Sequence, residues 1–298
     1  MKVTVLGNNS ALPAFGRYPT SQIVQVHEQL FLVDCGEGAQ MRMQQFGIRS
    51  DRINHVFISH LHGDHYFGLV GFISSLSLKG RTRDLFLYCD ASLKAIIDLQ
   101  LPWDLGFKIN YHFLKEGDAE LLLKTDTLEV KSFPVYHSVP THGFLFTEKK
   151  RKRRLLPDKL RQYEIPKYYY KKLSEGFDYT KQDGSVIKNE WVSEAGSPDK
   201  KYAFAADTRF APEMVEHIFQ ADLLYHETTY LHDLIDKAAQ RMHSTTLQAA
   251  EIARAAQVKK LLIGHFSSKY KNLEPFIAEV QTIFMSVELA TEGSTFEC

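Results

Sequence analysis

A layered α/β fold is predicted for this 298-residue chain by three observations. Short β-rich segments alternate with helix-like ones over most of its length, the pattern of sheets covered by helices. Histidines and aspartates recur where strand-like segments end, and loops at one edge of a sheet converge. The composition, 44% hydrophobic, 24% charged and 12% aromatic, is that of an ordinary folded chain and excludes a disordered one. At this length an α/β chain forms one domain with a sizeable core and no disulfide support.

The elements follow in order. KVTVLG (2–7), SQIVQV (21–26) and LFLVDC (30–35) are short, β-rich and bounded by turn formers, so each reads as a strand. Glu37–Phe46 reads as a helix stopped at Gly47. HVFIS (55–59) is an apolar strand running into a histidine cluster, and Tyr66–Leu78 a helix closed by Gly80. DLFLYC (84–89) is a strand, followed by a helix over Leu93–Leu101 with Ser92 as its cap. INYHFL (109–114), TLEVKSFPV (127–135) and GFLFTE (143–148) are strand-like. Residues 149–200 then break the pattern with a basic run, three consecutive tyrosines and DG and SPD turns. A structureless loop of that length is functional or disordered. Periodicity returns with KYAFAAD (201–207), a helix from Ala211, ADLLYHE (221–227) and a helix over 245–256 capped by Ser244. KKLLIGH (259–265), a helix around 273–285 and a final strand near Val287–Ala290 complete the chain.

No apolar run reaches the roughly 18 residues of a membrane span. The start, MKVTVLGNNSALPAFG, lacks the features of a signal peptide, so the expected location is the cytoplasm. Three cysteines (Cys35, Cys89, Cys298) without a CxxC pair fit a reducing compartment and exclude a thiolate zinc ribbon. Thirteen histidines direct any metal towards imidazole and carboxylate ligands. Formal net charge is zero, yet Glu148–Lys172 holds 11 basic and 3 acidic residues, a local excess of +8. An acidic body with one basic segment predicts a localised polyanion contact.

The strongest signal is Ser59-His60-Leu61-His62-Gly63-Asp64-His65, directly after a predicted strand. In an extended chain His60 and His62 point to the same side. Gly63 permits a sharp reversal, which turns Asp64 and His65 towards a second point. One loop therefore starts two metal sites a short distance apart.

This HxHxDH pattern resembles the metallo-β-lactamase superfamily of dinuclear metallohydrolases. The resemblance implies a four-layer αβ/βα sandwich. It also implies a later histidine, aspartate and histidine, each at a strand end. His137 ends KSFPVYH, Asp207 ends KYAFAAD and His265 ends KKLLIGH. The implied ligand sets are His60, His62 and His137 for one metal and Asp64, His65 and His265 for the other, with Asp207 bridging. Nitrogen and oxygen ligands suit two zinc ions per subunit, with manganese or iron as the other candidates. Such a centre stays net positive and favours an anionic substrate such as a phosphodiester.

Longer motifs resemble one family within the superfamily. LGNNSALP, VDCGEGAQMRMQQFGI (33–48), ISHLHGDHYFGLVG (58–71), HSVPTHGF (137–144), AADTRF (205–210), LLYHETTY (223–230), MHSTT (242–246) and IGHFSSKY (263–270) are similar to ribonuclease Z, short form, in that order. The resemblance implies cleavage of precursor tRNA 3′ of the discriminator nucleotide. It assigns Asp64 to the attacking water and His243 to the scissile phosphate and the leaving oxygen. Glu227 would set the protonation of His243, with Ser267, Ser268 and Lys269 near substrate phosphates. Lys269 stands where the motif carries arginine, which keeps the charge and loses bidentate contact. His27, His55, His112, His217 and His232 lack ligand spacing and read as structural or solvated, as does His142 close to the His137 loop, and Cys35 reads as a core residue.

The same resemblance places a protruding tRNA-binding arm in 149–200, inserted in a single domain spanning 1–298. Lys149, Lys150, Arg151, Lys152, Arg153 and Arg154 are its expected RNA contacts, and such contacts are salt-dependent. Family members carry a Gly-Pro segment here, whereas this chain reads EIPKYYYKKLSEGFDY (164–179). A homodimer is also implied, and no organic cofactor or membrane partner. The alternative readings are a small-molecule phosphodiesterase or arylsulfatase-like hydrolase on the same scaffold, which needs no basic arm, and a non-catalytic RNA-binding protein.

Overall fold

In the segment Gln29–Cys35, Phe31 and Val33 enter one apolar cluster while Leu30, Leu32 and Cys35 enter another. A strand buried on both faces belongs inside a sheet covered on two sides. A computed structural model describes residues 1–149 and 152–298. The strands are β1 (Lys2–Gly7), β2 (Ser21–Val26), β3 (Gln29–Cys35), β4 (Ile53–Phe57), β5 (Leu85–Cys89), β6 (Ile109–Phe113), β7 (Glu120–Lys124), β8 (Leu128–Val135), β9 (Thr141–Glu148), β10 (Arg154–Leu155), β11 (Tyr179–Thr180), β12 (Val186–Ile187), β13 (Ser193–Glu194), β14 (Lys200–Ala205), β15 (Leu223–Glu227), β16 (Lys260–Gly264), β17 (Val287–Leu289) and β18 (Thr295–Glu297).

Two seven-stranded sheets form, ordered β18-β1-β2-β3-β4-β5-β6 and β17-β16-β15-β14-β9-β8-β7. The cluster between them joins Val3, Val24, Phe31 and Phe57 of the first sheet to Val130, Phe144, Phe146, Phe204 and Tyr225 of the second. Stacked pairs Phe57–Tyr88 and Phe204–Tyr225, with centroids 4.4 and 5.0 Å apart, fill that layer. Outside the first sheet, Phe72, Ile73, Leu93 and Ile97 cover its other face from helices Leu69–Leu78 and Ser92–Gln100. Outside the second, Ala250, Ile252, Phe276 and Val280 do the same from helices Thr246–Ala255 and Glu274–Gln281. The expected four layers are therefore present.

Several local expectations are corrected. The helix expected over Tyr66–Leu78 is two, Gly63–Tyr66 and Leu69–Leu78. Gly68 lies between them, and a Cβ there would stand 2.2 Å from the carbonyl oxygen of Gly36. Helix Thr246–Ala255 is capped by Thr245, whose side chain and Gln248 form a reciprocal capping box. Ser244 instead donates to the Thr208 carbonyl at 2.8 Å. Ser92 does not cap the helix after β5: the N-cap position is Ala91, and Asp90 just before it accepts the Ser92 N–H at 2.7 Å. The segment after Ala211 is a short 3-10 turn and a four-residue helix. Strands β7 and β18 were not expected. β18 pairs antiparallel with β1, a contact between chain ends that local periodicity does not record. Among the described residues no helix is long and apolar enough to cross a membrane.

The chain divides into two compact units, one holding both sheets and the other Thr125–Thr127 with Glu148–Lys200. The described residues of the second unit form short helices and strands, where the sequence suggested a structureless loop. Leu160, Ile165, Leu173, Ile187 and Val192 form its own buried core, edged by Tyr163, Tyr169, Tyr170 and Tyr179. Asn189 ties it together, donating to the carbonyls of Leu173 and Phe177 at 2.8 and 2.9 Å and accepting from Ser193 Oγ at 2.6 Å. Parts of the basic run serve this unit's structure. Arg153 donates to Ser193 Oγ at 2.7 Å, Arg154 pairs with Glu194 at 2.8 Å and Lys152 with Glu175 at 3.3 Å. Lys149 belongs to the same unit, while the contacts expected at Lys150 and Arg151 lie outside the described residues.

Candidate metal centre

The candidate ligands sit where strands end. β4 delivers the HxHxDH loop, β8 delivers His137, β14 delivers Asp207 and β16 delivers His265. The chain reverses at Gly63 without a left-handed conformation there. The reversal is made by the helical turn Gly63–Tyr66, whose N-cap is His62 in extended geometry. A Cβ at Gly63 would stand 2.2 Å from the ring of the exposed Phe67, which would have to turn aside.

Two ligand groups result. One ligand atom from each of His60, His62, His137 and Asp207 falls within 4.8 Å of the others, and so do those of Asp64, His65, Asp207 and His265. Asp207 belongs to both. His265 Nε2 is 3.2 Å from Asp207 Oδ1 and 3.3 Å from Asp64 Oδ2. His65 Nε2 is 3.4 Å and His60 Nε2 3.8 Å from Asp207 Oδ2, and His137 Nε2 is 3.2 Å from His62 Nδ1. Ligands about 2 Å from a tetrahedral ion stand roughly 3.3 Å apart, so these separations fit metal ions between them. The Nε2 atoms of His60 and His65 are buried with no hydrogen-bond partner. Orphaned buried nitrogens of this kind are expected of metal ligands.

A second set of contacts selects the tautomers. His65 Nδ1 donates to Asp34 Oδ2 at 2.6 Å, and His137 Nδ1 to the Met242 carbonyl at 2.8 Å. Ser59 Oγ donates to Asp34 Oδ2 at 2.9 Å, so the 3.0 Å contact from His60 Nδ1 is a donation to Ser59. Thr229 Oγ1 donates to Glu227 Oε2 at 2.6 Å and accepts from His265 Nδ1 at 2.9 Å. In all four imidazoles the Nδ1 proton is committed to protein, leaving Nε2 free to bind a metal. Asp34, Met242 and His265 have φ of 55°, 54° and 60°. Backbone strain in non-glycine residues collects where surrounding structure over-determines a site. Asp34, Thr229 and the Met242 carbonyl were not anticipated from sequence. The VDCGEG segment was the available signal for Asp34, whereas a main-chain carbonyl has no residue signature.

Charge follows the same geometry. Burial drives His60 well below its ordinary pKa, reinforced by the charge of neighbouring imidazoles. Burial opposes a charged Asp207, yet His265 and His65 hold it well below the carboxylate range. Beside the centre, His243 Nδ1 donates to Glu227 Oε1 at 2.8 Å. Burial works against a charged His243, but the Glu227 carboxylate outweighs it and raises the imidazole to about 9. Glu227, buried and paired with His243, is lowered in turn.

These groups line an open cavity of about 710 Å³. His62, Asp64, His137, Asp207, His243 and His265 face it, with Ser267 and Ser268 at one side. Lys269 is exposed and lies outside that lining. His226 is fully buried and donates Nδ1–H to the Glu227 carbonyl at 2.7 Å. It belongs to none of the ligand groups.

Paired seven-stranded sheets with helices outside, and a His/Asp centre at the strand ends, define a metallo-β-lactamase-fold protein. Comparison with solved structures agrees. Human tRNase Z, short form, superposes with a TM-score of 0.71 at 24% identity, over 100% of this chain and 99% of that one. The metallo-β-lactamase fold protein YhfI from Bacillus subtilis superposes with a TM-score of 0.70 at 19% identity, over 100% and 99%. A family model described as Anti-Pycsar protein Apyc1 matches residues 1–104. Among full-length relatives, Ribonuclease Z of Phocaeicola vulgatus is 40% identical over 294 residues, 98% of this chain and 95% of that protein. Ribonuclease Z of Bacteroides thetaiotaomicron is 39% identical over 292 residues, 97% and 92%. The chain belongs to the ribonuclease Z family.

Proposed function

We propose that this protein is an endoribonuclease that cuts precursor tRNA just 3′ of the discriminator nucleotide. The products are a tRNA with a 3′-hydroxyl and a trailer with a 5′-phosphate. The observation that carries this reading is the hydrogen-bonded His243–Glu227 pair beside two ligand groups sharing Asp207, with His243, Asp207, His62, Asp64, His137 and His265 facing one open cavity. His60, His62 and His137 would hold one ion and Asp64, His65 and His265 the other, with Asp207 within reach of both. The nitrogen and oxygen donor set would suit two zinc ions per subunit, with manganese or iron as alternatives. When bound, they supply Lewis acidity and a water acidic enough to attack phosphorus at neutral pH.

The chain's own residues do the rest. Asp64, held in ionised form by His65 and His265 despite its burial, orients the attacking water. His243 is raised to about 9 and so is charged at neutral pH. Its Nδ1–H is committed to Glu227, which leaves Nε2–H to pass to the O3′ atom as the P–O3′ bond breaks. Proton donation of this kind contributes roughly 100- to 10,000-fold. The ordered unit at Glu148–Lys200 is the arm that grips the tRNA body away from the cut. The reading also includes a homodimer acting in the cytoplasm.

The test is cleavage of a precursor tRNA bearing a 3′ trailer, with products mapped to the nucleotide, beside Asp64→Ala. One cut next to the discriminator, lost in the variant, is the expected result. A metal-loaded protein that leaves the precursor intact would favour a small-molecule phosphodiesterase instead.

A further inference from the structure

Two cations in the cavity wall have no part in the chemistry above. Lys237 and Arg241 line the same cavity as Asp64, Asp207 and His243. They stand four residues apart, Lys237 in the helix Ile235–Gln240 and Arg241 as its C-cap, and that spacing puts both on one face. Gln240 lines the cavity from the same segment, while Ala238 is buried. Both cations are exposed, and neither is in a salt bridge among the described residues. The Lys237 ammonium lies 5.4 Å above the Tyr230 ring. Among the described residues, the carboxylates in the lining are Asp64 and Asp207, both in the candidate ligand groups. The remaining charge on the wall is therefore positive and unneutralised.

One turn places this edge against the reacting atoms. The left-handed Met242, φ 54°, reverses the chain after the helix. The His243 N–H then donates to the Ala238 carbonyl at 2.9 Å, and the Met242 carbonyl accepts a hydrogen bond from His137 Nδ1 at 2.8 Å. Arg241 and His243 thus reach the same cavity from the two sides of a single residue. A different part of the wall, Ser10–Leu12, carries no charge and exposes Leu12.

We infer that Lys237 and Arg241 bind phosphates of the leaving strand, 5′ of the scissile one. This rests on the role given to His243 above. The oxygen that receives the His243 proton belongs to the discriminator nucleotide, so the next phosphates met beyond His243 are those on the tRNA side. The edge grips the tRNA end before and after the cut and makes no contact with the trailer. Exposed cations at a polyanion surface act by neutralising phosphate and releasing counterions.

Lys237→Gln, Arg241→Gln and the double variant test this, with two substrates and two inhibitors. For precursor tRNA each single change is expected to lower kcat/KM about tenfold, through KM, as loss of one charged hydrogen-bond contact does. The salt slope of log kcat/KM should become shallower by about 0.7 per charge removed, the single-strand value. For bis(p-nitrophenyl) phosphate, which has no second phosphate, the fold-loss should be smaller by that same factor. With this small diester as the reporter, inhibition by tRNA ending at the discriminator should weaken about tenfold more than inhibition by a 5′-phosphorylated trailer oligonucleotide. Equal losses on both substrates would place the cations at the reacting phosphate and overturn the inference. A greater weakening by the trailer would place them on the wrong strand. Failure of the wild type to cut precursor tRNA would overturn the proposed function, while the inhibitor comparison would still decide the strand.

Discussion

Around the candidate metal centre, four ligand imidazoles have their second nitrogen tied to a protein group, while on the arm the charged side chains pair near the surface. His65 leans on Asp34, His137 on the Met242 carbonyl, His60 on Ser59 and His265 on Thr229. On the arm, Arg154 pairs with Glu194 and Lys152 with Glu175, all four side chains at least a third exposed. Exposed pairs contribute about 0–1 kcal/mol and are screened by salt. Buried networks leave an unsatisfied group when one member is lost, and that is costly. The difference shows where this molecule needs fixed geometry and where it needs only a shape that carries charge. Three apolar clusters surround the sheets, whereas the arm has one small core of its own.

The comparison breaks most sharply at the shared carboxylate. Asp207→Ala is expected to abolish metal retention, read by elemental analysis, and to lower RNA cleavage at least about 1,000-fold. Retained metal and activity would remove Asp207 from the centre. His243→Ala should keep its metal and lose roughly 100- to 10,000-fold in kcat. The pH profile sharpens that result. His243 is raised to about 9, so the wild-type rate should hold at neutral pH and fall as pH rises through 9. Glu227 is the charge that raises it, so Glu227→Gln should move the alkaline limb to lower pH.

Asp34→Asn removes only a partner of a ligand, and metal affinity should fall about 10- to 100-fold. Competition with a chelator measures it. On the arm, Leu173→Ala truncates a fully buried core side chain. It should cost about 2–5 kcal/mol locally, appear as proteolytic nicking within 148–200, and weaken tRNA cleavage more than small-diester hydrolysis. Equal losses on both substrates would end the separation of the two regions. The smallest effect is expected at His55, which burial against Phe31 and Phe86 holds down to about 4. Its folded pKa lies below its unfolded value, so its contribution to stability is complete above about 6.5 and is lost as pH falls towards 4. A drop in Tm of a few degrees over that window, smaller in His55→Gln, is the expected reading.

Most strands were legible because their periodicity is local. β1, β2, β3, β5 and β16 fall within a residue or two of their expected bounds. The centre was legible because strand ends carry its candidate ligands in sequence order, and the seven side chains stand together in two neighbouring groups. Less was legible where partners are distant. β18 pairs with β1 across almost the whole chain, and Asp34 meets His65 from 31 residues away. The small core of the inserted segment was not legible because it draws one apolar residue at a time from short helices and turns, without a period to detect.

By itself, then, the sequence determined the layered class, the metal-binding chemistry and the presence of a basic insertion. Those depend on residue type, spacing and order along one strand or loop. Tertiary structure alone decided which nitrogen each imidazole presents, which buried carboxylate supports it, and which cations reach the cavity. Hydrogen bonds and fields act over a few ångströms of space, and the folded chain brings together at that range groups that sequence separation keeps apart.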